Sequence, residues 1–520
     1  MAYIETEDTQ NYGLTDKVTE ILKKYKEAQS VKDYWKDKFE EAYEYCLPNR
    51  ESFYDESPGQ KRTDKIFDET AVVGVQEFAS RLQAGITPTF ARWADFQAGS
   101  EIPPEQRPGI NQELDKITDY VFQVLQTSNF NQEIHEAFMD LAIGTGILLV
   151  EEGDAINPIK FTSVPLTRVC LMNGPDGKID TVYRTRTCKP TEIHLLYPKA
   201  KLPENFDPLK QKKDIKLIEA IYKIHEDNVE KYKFCVVMEN PKHILLEEEY
   251  SGDGSNPYLV FRWNKASGEV YGRGPVFNAM GAIKTCNLTI ELILQNAQMS
   301  VSGVYTYEDD GVINPDNISL VPGSLIPVAP GSKGLLPIQA ASNFDVAQLV
   351  LNDMRQNIKK ALYMEALGRP EGTPMTATEV SERMADLSRQ IGASFGRLQS
   401  ELINPLLRRI IRILSKQGRI DIPKVNGREV KIAPRSPLAQ AQHLQDVADV
   451  TRFNEIIAGT FGPQMINLIV DQNETAKYLA EKMNLPEKLI RDEEEQKQLA
   501  DRMTQLQQSA EEGGEAPPGA

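Results

Sequence analysis

Cysteine and histidine are both scarce in this chain, with five of each in 520 residues. The cysteines stand at positions 46, 170, 188, 235 and 286, no two closer than 18 residues. That spacing excludes a CxxC zinc or redox pair. An odd number of scattered thiols points to a reducing cytoplasm rather than a disulfide framework. The histidines do not cluster, which argues against a histidine-built metal site. His135-Glu136 lacks the second histidine of a zincin helix, because Met139 stands in its place. No GxxxxGK occurs, and Gly272-Arg-Gly274 has Phe277 where a dinucleotide motif needs its third glycine; nucleotide-binding loops of both kinds are excluded. Long apolar runs are missing too. LAIGTGILLV at 141–150, closed by Asp140 and Glu151, is too short to cross a bilayer. The start, MAYIETEDTQ, is acidic and shows no basic-then-apolar leader. The chain is therefore expected to be intracellular and soluble, with no membrane role. Basic residues are outnumbered 76 to 59, for a net charge of -17. So acidic a chain is poorly suited to gripping nucleic acid over a broad surface, which needs Lys and Arg on phosphates. It could still surround DNA without adhering to it.

What is present is a large folded body. Hydrophobic residues make up 40% and charged residues 26%, a globular composition. The length is enough for three or four domains at roughly 150 residues each. Residues 15–47 read as a helix, with Val18, Leu22, Tyr25, Trp35, Phe39 and Tyr43 at helical spacing and Pro48 as the stop. Further helices are expected over about 63–86, 111–126 and after SNFNQE. From 147 to 263 short Val-, Thr- and aromatic-rich runs separated by turns predict strands, with a helical insert around 212–224.

From 271 the layout changes. Gly274-Pro275 opens a helix reaching about Val301, with Pro275 at a favoured first position. A Gly- and Pro-rich excursion follows over 302–341. A second helix begins at the capping box Ser342-Asn-Phe-Asp345 and runs to Leu367, where Gly368-Arg369-Pro370 stops it. A second capping box, Thr376-Ala-Thr-Glu379, opens a long helix to Gly418 with a kink expected at Asn404-Pro405. About 40 helical residues span roughly 60 Å, a length suited to an elongated assembly part. Residues 436–510 read as helical again, and the last stretch, SAEEGGEAPPGA, as low-complexity and mobile. Helix, excursion and returning helix make a stalk with a tip.

Catalytic motifs do not survive inspection. Gly392-Ala-Ser394-Phe-Gly396 matches the nucleophile elbow GxSxG, but that elbow needs a strand before it, and here it lies within a helical pattern. Arg408, Arg409 and Arg412 alternate with Leu407, Ile410 and Ile411; they read as the wet face of an amphipathic helix, with phosphate contact as the alternative. Asp309-Asp310 reads as an exposed acidic turn rather than a cation site. No cofactor and no metal site are expected.

Five blocks in order resemble one family, the head-to-tail connector (portal) proteins of podovirus-type bacteriophages. They are IFDETAVVGVQEFASRLQAGITPTFARWADF, carrying Phe67-Asp68, Ala79, Leu82, Pro88 and Trp93; SNFNQEIHEAFMDLAIGTGILLVEEG; FRWNKASGEVYGRGPVFNAMGAIKTCN, carrying Arg262-Trp263 and Tyr271-Gly272-Arg273-Gly274-Pro275; MTATEVSERM at 375–384; and SPLAQAQ at 436–442. The resemblance covers about 30 to 500. It implies an α+β, mainly helical, elongated subunit with wing, stem, clip and crown, joined in a ring that is typically dodecameric.

On this resemblance the wing is 1–270, the stem helices 271–300 and 342–364, and the clip 301–341. The tunnel loop is 365–375, the long wing helix with its following segment 376–430, the crown 431–510 and a disordered tail 511–520. Stem packing falls to Phe277, Ile283, Ile290, Ile293, Phe344, Leu351, Ile358 and Leu362. The DNA-facing loop is Glu365, Leu367, Gly368, Arg369, Pro370, Glu371 and Gly372. The clip docking surface is Tyr305, Tyr307, Glu308, Asp309 and Asp310. The implied partners are further copies of the chain, the terminase large subunit, tail adaptor proteins, major capsid and scaffolding proteins, and double-stranded DNA passing without sequence specificity. The implied location is the portal vertex of a virion, after synthesis in the host cytoplasm. A tail adaptor or scaffold is the alternative, and a serine hydrolase at Ser394 a remote one.

Overall fold

A computed structural model describes residues 7–54, 65–99, 102–103, 107–204, 206–211, 213–224, 230–302, 305–306, 330, 336–337, 344–364, 392–421, 430–434, 437–462 and 469–482. The chain divides into two compact units. The first comprises residues 1–83, 116–369 and 393–427; the second comprises 84–115, 370–392 and 428–520.

The first unit is built on a five-stranded antiparallel sheet of β4 (Val169–Asn173), β5 (Ile179–Cys188), β6 (Ile215–Ile224), β7 (Lys231–Met238) and β8 (His243–Ser251), paired in that order. Helix α1 (Glu7–Cys46) lies on one face. Its Val18, Ile21, Leu22, Tyr25 and Ala28 pack against Cys170, Tyr183, Ile218, Ala220, Cys235 and Val237. The other face holds Leu217, Val236 and Met238 under Ile193, Tyr197 and Ala200. The expected helical insert at 212–224 is thus corrected to β6, the central strand. Ile215, Ile218, Ile221 and Tyr222 mimic a helical stripe. Both faces of β6 are covered, however, so its apolar residues do not alternate with polar ones.

A second, three-stranded sheet pairs β3 (Ile159–Ser163), β2 (Thr145–Glu152) and β9 (Tyr258–Arg262). Helix α4 (Phe130–Ile143) packs on it through Phe130 against Phe161 and Phe138 against Phe261. Helices α6 (Pro275–Ser302) and α7 (Phe344–Ala361) pack on each other as a hairpin. Residues 392–398 are helical, Gln399–Ile403 form a π turn, and α8 (Asn404–Lys416) follows. The expected kink therefore has a specific form. Pro405 has no N–H to give the carbonyl of Glu401, and Asn404 N–H reaches back to Gln399 instead.

In the second unit β1 (Ala94–Ala98) pairs antiparallel with β12 (Val430–Pro434), across more than three hundred residues of sequence. Helices α9 (Pro437–Phe461) and α10 (Gln472–Lys482) supply its helical part.

One buried acid of the first unit has a measurable consequence. Tyr43 Oη donates to Asp140 Oδ1 at 3.1 Å, and Arg50 Nε lies 3.5 Å from the same oxygen. Arg50 also pairs with Glu136 at 2.7 Å, while Asp140 Oδ2 has no hydrogen-bond partner. Burial pushes the Asp140 carboxyl up from 3.8 to about 6, outweighing Arg50. Between those two values the folded chain binds the extra proton, so stability falls as pH rises from 4 to 6 and levels off above. Asp140→Asn should flatten that part of a melting-temperature profile and raise stability at pH 7.5 by up to ~2 kcal/mol. An unchanged slope between pH 4 and 6 would refute this assignment.

Candidate functional site: the helical hairpin and its root

The root of the hairpin explains the glycines of the YGRGP block. The chain entering α6 crosses the junction between α4 and β2 at backbone contact distance. A Cβ on Gly272 would stand 2.2 Å from Gly144 O, and one on Gly144 would stand 2.1 Å from Gly272 O. A Cβ on Gly274 would meet Ala142 O at 2.1 Å. Only glycine permits this approach. The crossing is stitched by Gly272 N–H to Thr145 Oγ1 (2.9 Å), Gly274 N–H to Ile143 O (2.8 Å) and Trp263 N–H to Gly144 O (3.0 Å). Tyr271, fully buried, accepts the N–H of Leu171 on its hydroxyl.

Beside the root sits a buried ion pair. Arg262 is 2% exposed, and its guanidinium meets Glu401 Oε1 at 2.6 Å. Glu401 Oε2 accepts the Arg262 backbone N–H at 2.9 Å and its Nε at 3.3 Å. The remaining arm donates to Val270 O. Glu401 belongs to the π turn, so the irregularity before Pro405 delivers the carboxylate that β9 needs.

The helices of the hairpin are tied to the segment before α2 (Thr70–Ile86). Asn287 of α6 accepts the N–H groups of Phe67 (2.7 Å) and Asp68 (2.9 Å) on its Oδ1. Asp68 Oδ2 accepts Arg355 Nε of α7 at 2.8 Å, and Oδ1 accepts Thr70 N–H at the start of α2. Burial pulls the Asp68 carboxyl up, but the hydrogen bonds from Thr70 and Arg355 hold it below its usual value. One carboxylate therefore fixes α2 and α7, and one amide fixes the same segment to α6.

Facing inward from the hairpin are Val276, Ala279, Met280, Ile283 and Cys286 of α6 with Leu351, Ile358 and Leu362 at the α7 side. Phe277, Ile290 and Ile293 are half-buried; the Phe277 ring contacts Trp35 and Phe39 of α1. Phe344 opens α7. The outer side of the pair carries Leu288 at 57%, Leu292 at 55% and Leu349 at 71% exposure. Leu288 and Leu292 are one turn apart and share a helix face. Large apolar side chains left this exposed on two packed helices are an unsatisfied surface.

Other residues singled out from sequence fall elsewhere. Glu365, Leu367, Gly368, Arg369, Pro370, Glu371 and Gly372 lie outside the described residues, as do Tyr307, Glu308, Asp309 and Asp310. Tyr305 stands in β10 (Tyr305–Thr306), paired with β11 (Leu336–Pro337). Ser394 is buried within the helical stretch, and its hydroxyl donates to Asn264 Oδ1 at 3.1 Å. It is a packing residue, and the hydrolase alternative fails on that geometry. The three arginines are only in part the expected wet face: Arg408 is exposed, whereas Arg409 is half-buried and turned onto backbone carbonyls. Arg408 pairs with Asp253 at 3.1 Å, while Arg409 donates to Val150 O, Gly254 O and Ser255 O and Arg412 to Ser251 O and Asp253 O. They clamp the loop before β9 onto α8. Among the described residues no group of three or more His, Cys, Asp or Glu could hold a metal, and no helix is long and apolar enough to cross a membrane. All five thiols are buried and free; burial pushes Cys46 up to about 12.

Sequence reading missed Arg355 and Glu401. Asp68, Arg262 and Asn287 stood in the blocks but without a role. The signal for Glu401 was a lone acid in an amphipathic helical run, four residues before Pro405.

The profile described as bacteriophage head to tail connecting protein matches residues 18–490. The probable portal protein of Bordetella phage BPP-1 is 23% identical, over 94% of this chain and 92% of that protein. The portal protein of Salmonella phage epsilon15 is 22% identical, over 74% and 72%. That of Escherichia phage T7 is 20% identical, over 68% and 66%. A solved structure titled as the neck of a native GTA particle computed with C12 symmetry aligns over 79% of this chain and 91% of that one, at 15% identity and a TM-score of 0.33.

Proposed function

The chain belongs to the bacteriophage head-to-tail connecting protein family and is a phage portal protein, a structural component of the virion and not an enzyme, and we propose that it works as one segment of a ring through which DNA passes. The observation that carries this mechanism is the exposed leucines on the hairpin, Leu288 and Leu292 on α6 and Leu349 on α7. A closed ring of identical copies covers such a face without leaving a free edge. A ring of twelve copies lets the α6–α7 hairpins stand side by side around a channel. Its acidic subunits, at -17 each, keep phosphates hydrated and mobile rather than bound.

In this reading residues 301–341 form the tip that receives the terminase large subunit during packaging and tail adaptors afterwards, with Tyr305, Tyr307, Glu308, Asp309 and Asp310 as its docking surface. Residues 365–375 face the DNA, one copy per subunit. Major capsid and scaffolding proteins are further partners, and the chain is made in the host cytoplasm.

Negative-stain images of the purified chain should show rings with a central hole; monodisperse single subunits at micromolar concentration would sink the mechanism. Within the loop, Arg369 is the group that meets phosphate, tempered by Glu365 and Glu371. Arg369→Glu should leave ring formation unchanged and lower the amount of DNA packaged or retained. Normal packaging by stable Arg369→Glu rings would remove that role.

A further inference from the structure

The face of the five-stranded sheet opposite α1 has a cover whose own outer side is apolar. Ile193, Tyr197 and Ala200 pack down onto Leu217, Val236 and Met238, with Leu202 and Phe206 beside them. Leucines stand outside this layer. Leu195 is 83% exposed and Leu209 85%, and Leu196, next to Leu195, is exposed too. Single exposed leucines are ordinary, but several on one firmly held cover mark a contact surface.

The backbone that carries them is held at several points. Tyr197 Oη donates to the Glu219 carboxylate on the central strand β6, and Tyr258 of β9 donates to the same group at 2.5 Å. Arg184 and Arg186 of β5 lie 3.6 and 3.4 Å from it. Tyr197 N–H closes a turn on Ile193 O at 2.8 Å, with both of those side chains buried and Leu195 and Leu196 left outside. Further on, Lys201 N–H donates to Leu245 O of β8 at 2.7 Å, and Asp207 Oδ1 accepts the Leu209 N–H at 3.0 Å. The leucines are presented rather than slack.

Their surroundings are basic. Between 189 and 213 stand six lysines and three acids, a net of +3 in a chain of -17. Lys201 is exposed, and Lys199 and Lys210 stay mostly in water although they pair with Glu248 and Asp207. Leucines among lysines call for an acidic ligand with apolar side chains of its own. The adjacent sheet edge is closed to an added strand, because Leu245 O is taken and Glu247, Glu248 and Glu249 stand along β8. The ligand therefore offers side chains, as an amphipathic helix does. The sheet separates this surface from α1, whose Trp35 and Phe39 lead to Phe277 of the hairpin, so packing of hairpins leaves it uncovered. A broad anionic membrane meets the negative field of the whole chain, whereas a narrow helix meets only charges within a Debye length of about 8–10 Å. We infer that Leu195, Leu196 and Leu209, rimmed by Lys199, Lys201 and Lys210, dock an acidic amphipathic helix of a separate protein. This surface does not depend on the ring.

The probes are two synthetic helical peptides, one with leucines on one face and glutamates on the other, and one with lysines in place of the glutamates. In fluorescence anisotropy with the full-length chain, the glutamate peptide should bind at least about tenfold tighter than the lysine peptide, and more weakly as salt rises. Leu195→Ser combined with Leu209→Ser should weaken it at least about tenfold, and Lys199→Glu combined with Lys210→Glu should remove the preference. These side chains are exposed, so the melting temperature of each variant should stay at the wild-type value. No binding, equal binding of the two peptides, or binding indifferent to the leucine variant would overturn the docking surface. Loss of ring assembly in the leucine variant would overturn it in favour of a second copy as the occupant. Capture of the wild-type chain, but not the leucine variant, by phosphatidylglycerol vesicles would overturn it in favour of a membrane. If the wild-type chain formed no rings, the portal mechanism would fall while the peptide comparison still decided this surface.

Discussion

Leu288→Asp combined with Leu349→Asp should yield folded subunits that no longer assemble. Both side chains are more than half exposed on the outer side of the hairpin, so the monomer loses little by the change. In a ring each leucine is covered by a neighbour, and each contributes about 1.5–3 kcal/mol when fully buried. Replacing it with an unpaired carboxylate reverses that term and adds a desolvation cost. The effect repeats at every interface of a closed ring, so assembly should fail outright. Light scattering after size exclusion should report single subunits, with helical content unchanged. Rings formed at the wild-type concentration would show that another face joins the copies. Leu351→Asp is not an equivalent probe. Leu351 is buried between α6 and α7 at 3% exposure, so its replacement breaks the hairpin before any interface is tested.

Arg262→Met should destabilise the first unit more than any surface change. Its guanidinium is the partner of Glu401, which is itself mostly buried, with 18% of its side chain exposed. Removing one member of such a pair leaves a charge without compensation, a loss of about 3–5 kcal/mol. The double variant Arg262→Met with Glu401→Leu should recover most of it, because replacing a buried pair by apolar groups of similar volume is close to neutral. Chemical denaturation of unassembled subunits, with melting temperature as a second readout, distinguishes the two. A single variant with an unchanged midpoint would mean that the pair contributes nothing net. A double variant no better than the single would mean that the Glu401 bond to the Arg262 backbone N–H, rather than the charge pair, matters most.

Much of the helical framework was readable because its signals are local. Pro275 at the start of α6, the capping residues before α7 and the apolar spacing along α1 each act within a few residues, and the structure places helices at those points. The Gly-rich block at 271–275 was legible as a marker, but its reason was not. Gly272 is required by Gly144, over a hundred residues away, and no pattern within either segment states that they cross. The strand β6 was misread for a related reason. Its apolar residues are spaced as in a helix, and only burial on both faces by α1 and the 190–206 segment decides that it is extended.

By itself the sequence determined the order of helices and strand-rich regions, the absence of nucleotide-binding and clustered-ligand motifs, and the acidic charge, since each depends on residue type and near spacing. Tertiary structure alone decided which leucines of the hairpin stay exposed, which acid meets Arg262, and that Arg409 and Arg412 hold the backbone before β9. The physical reason is the same in each case. Burial and ion pairing are properties of groups brought together from distant parts of the chain.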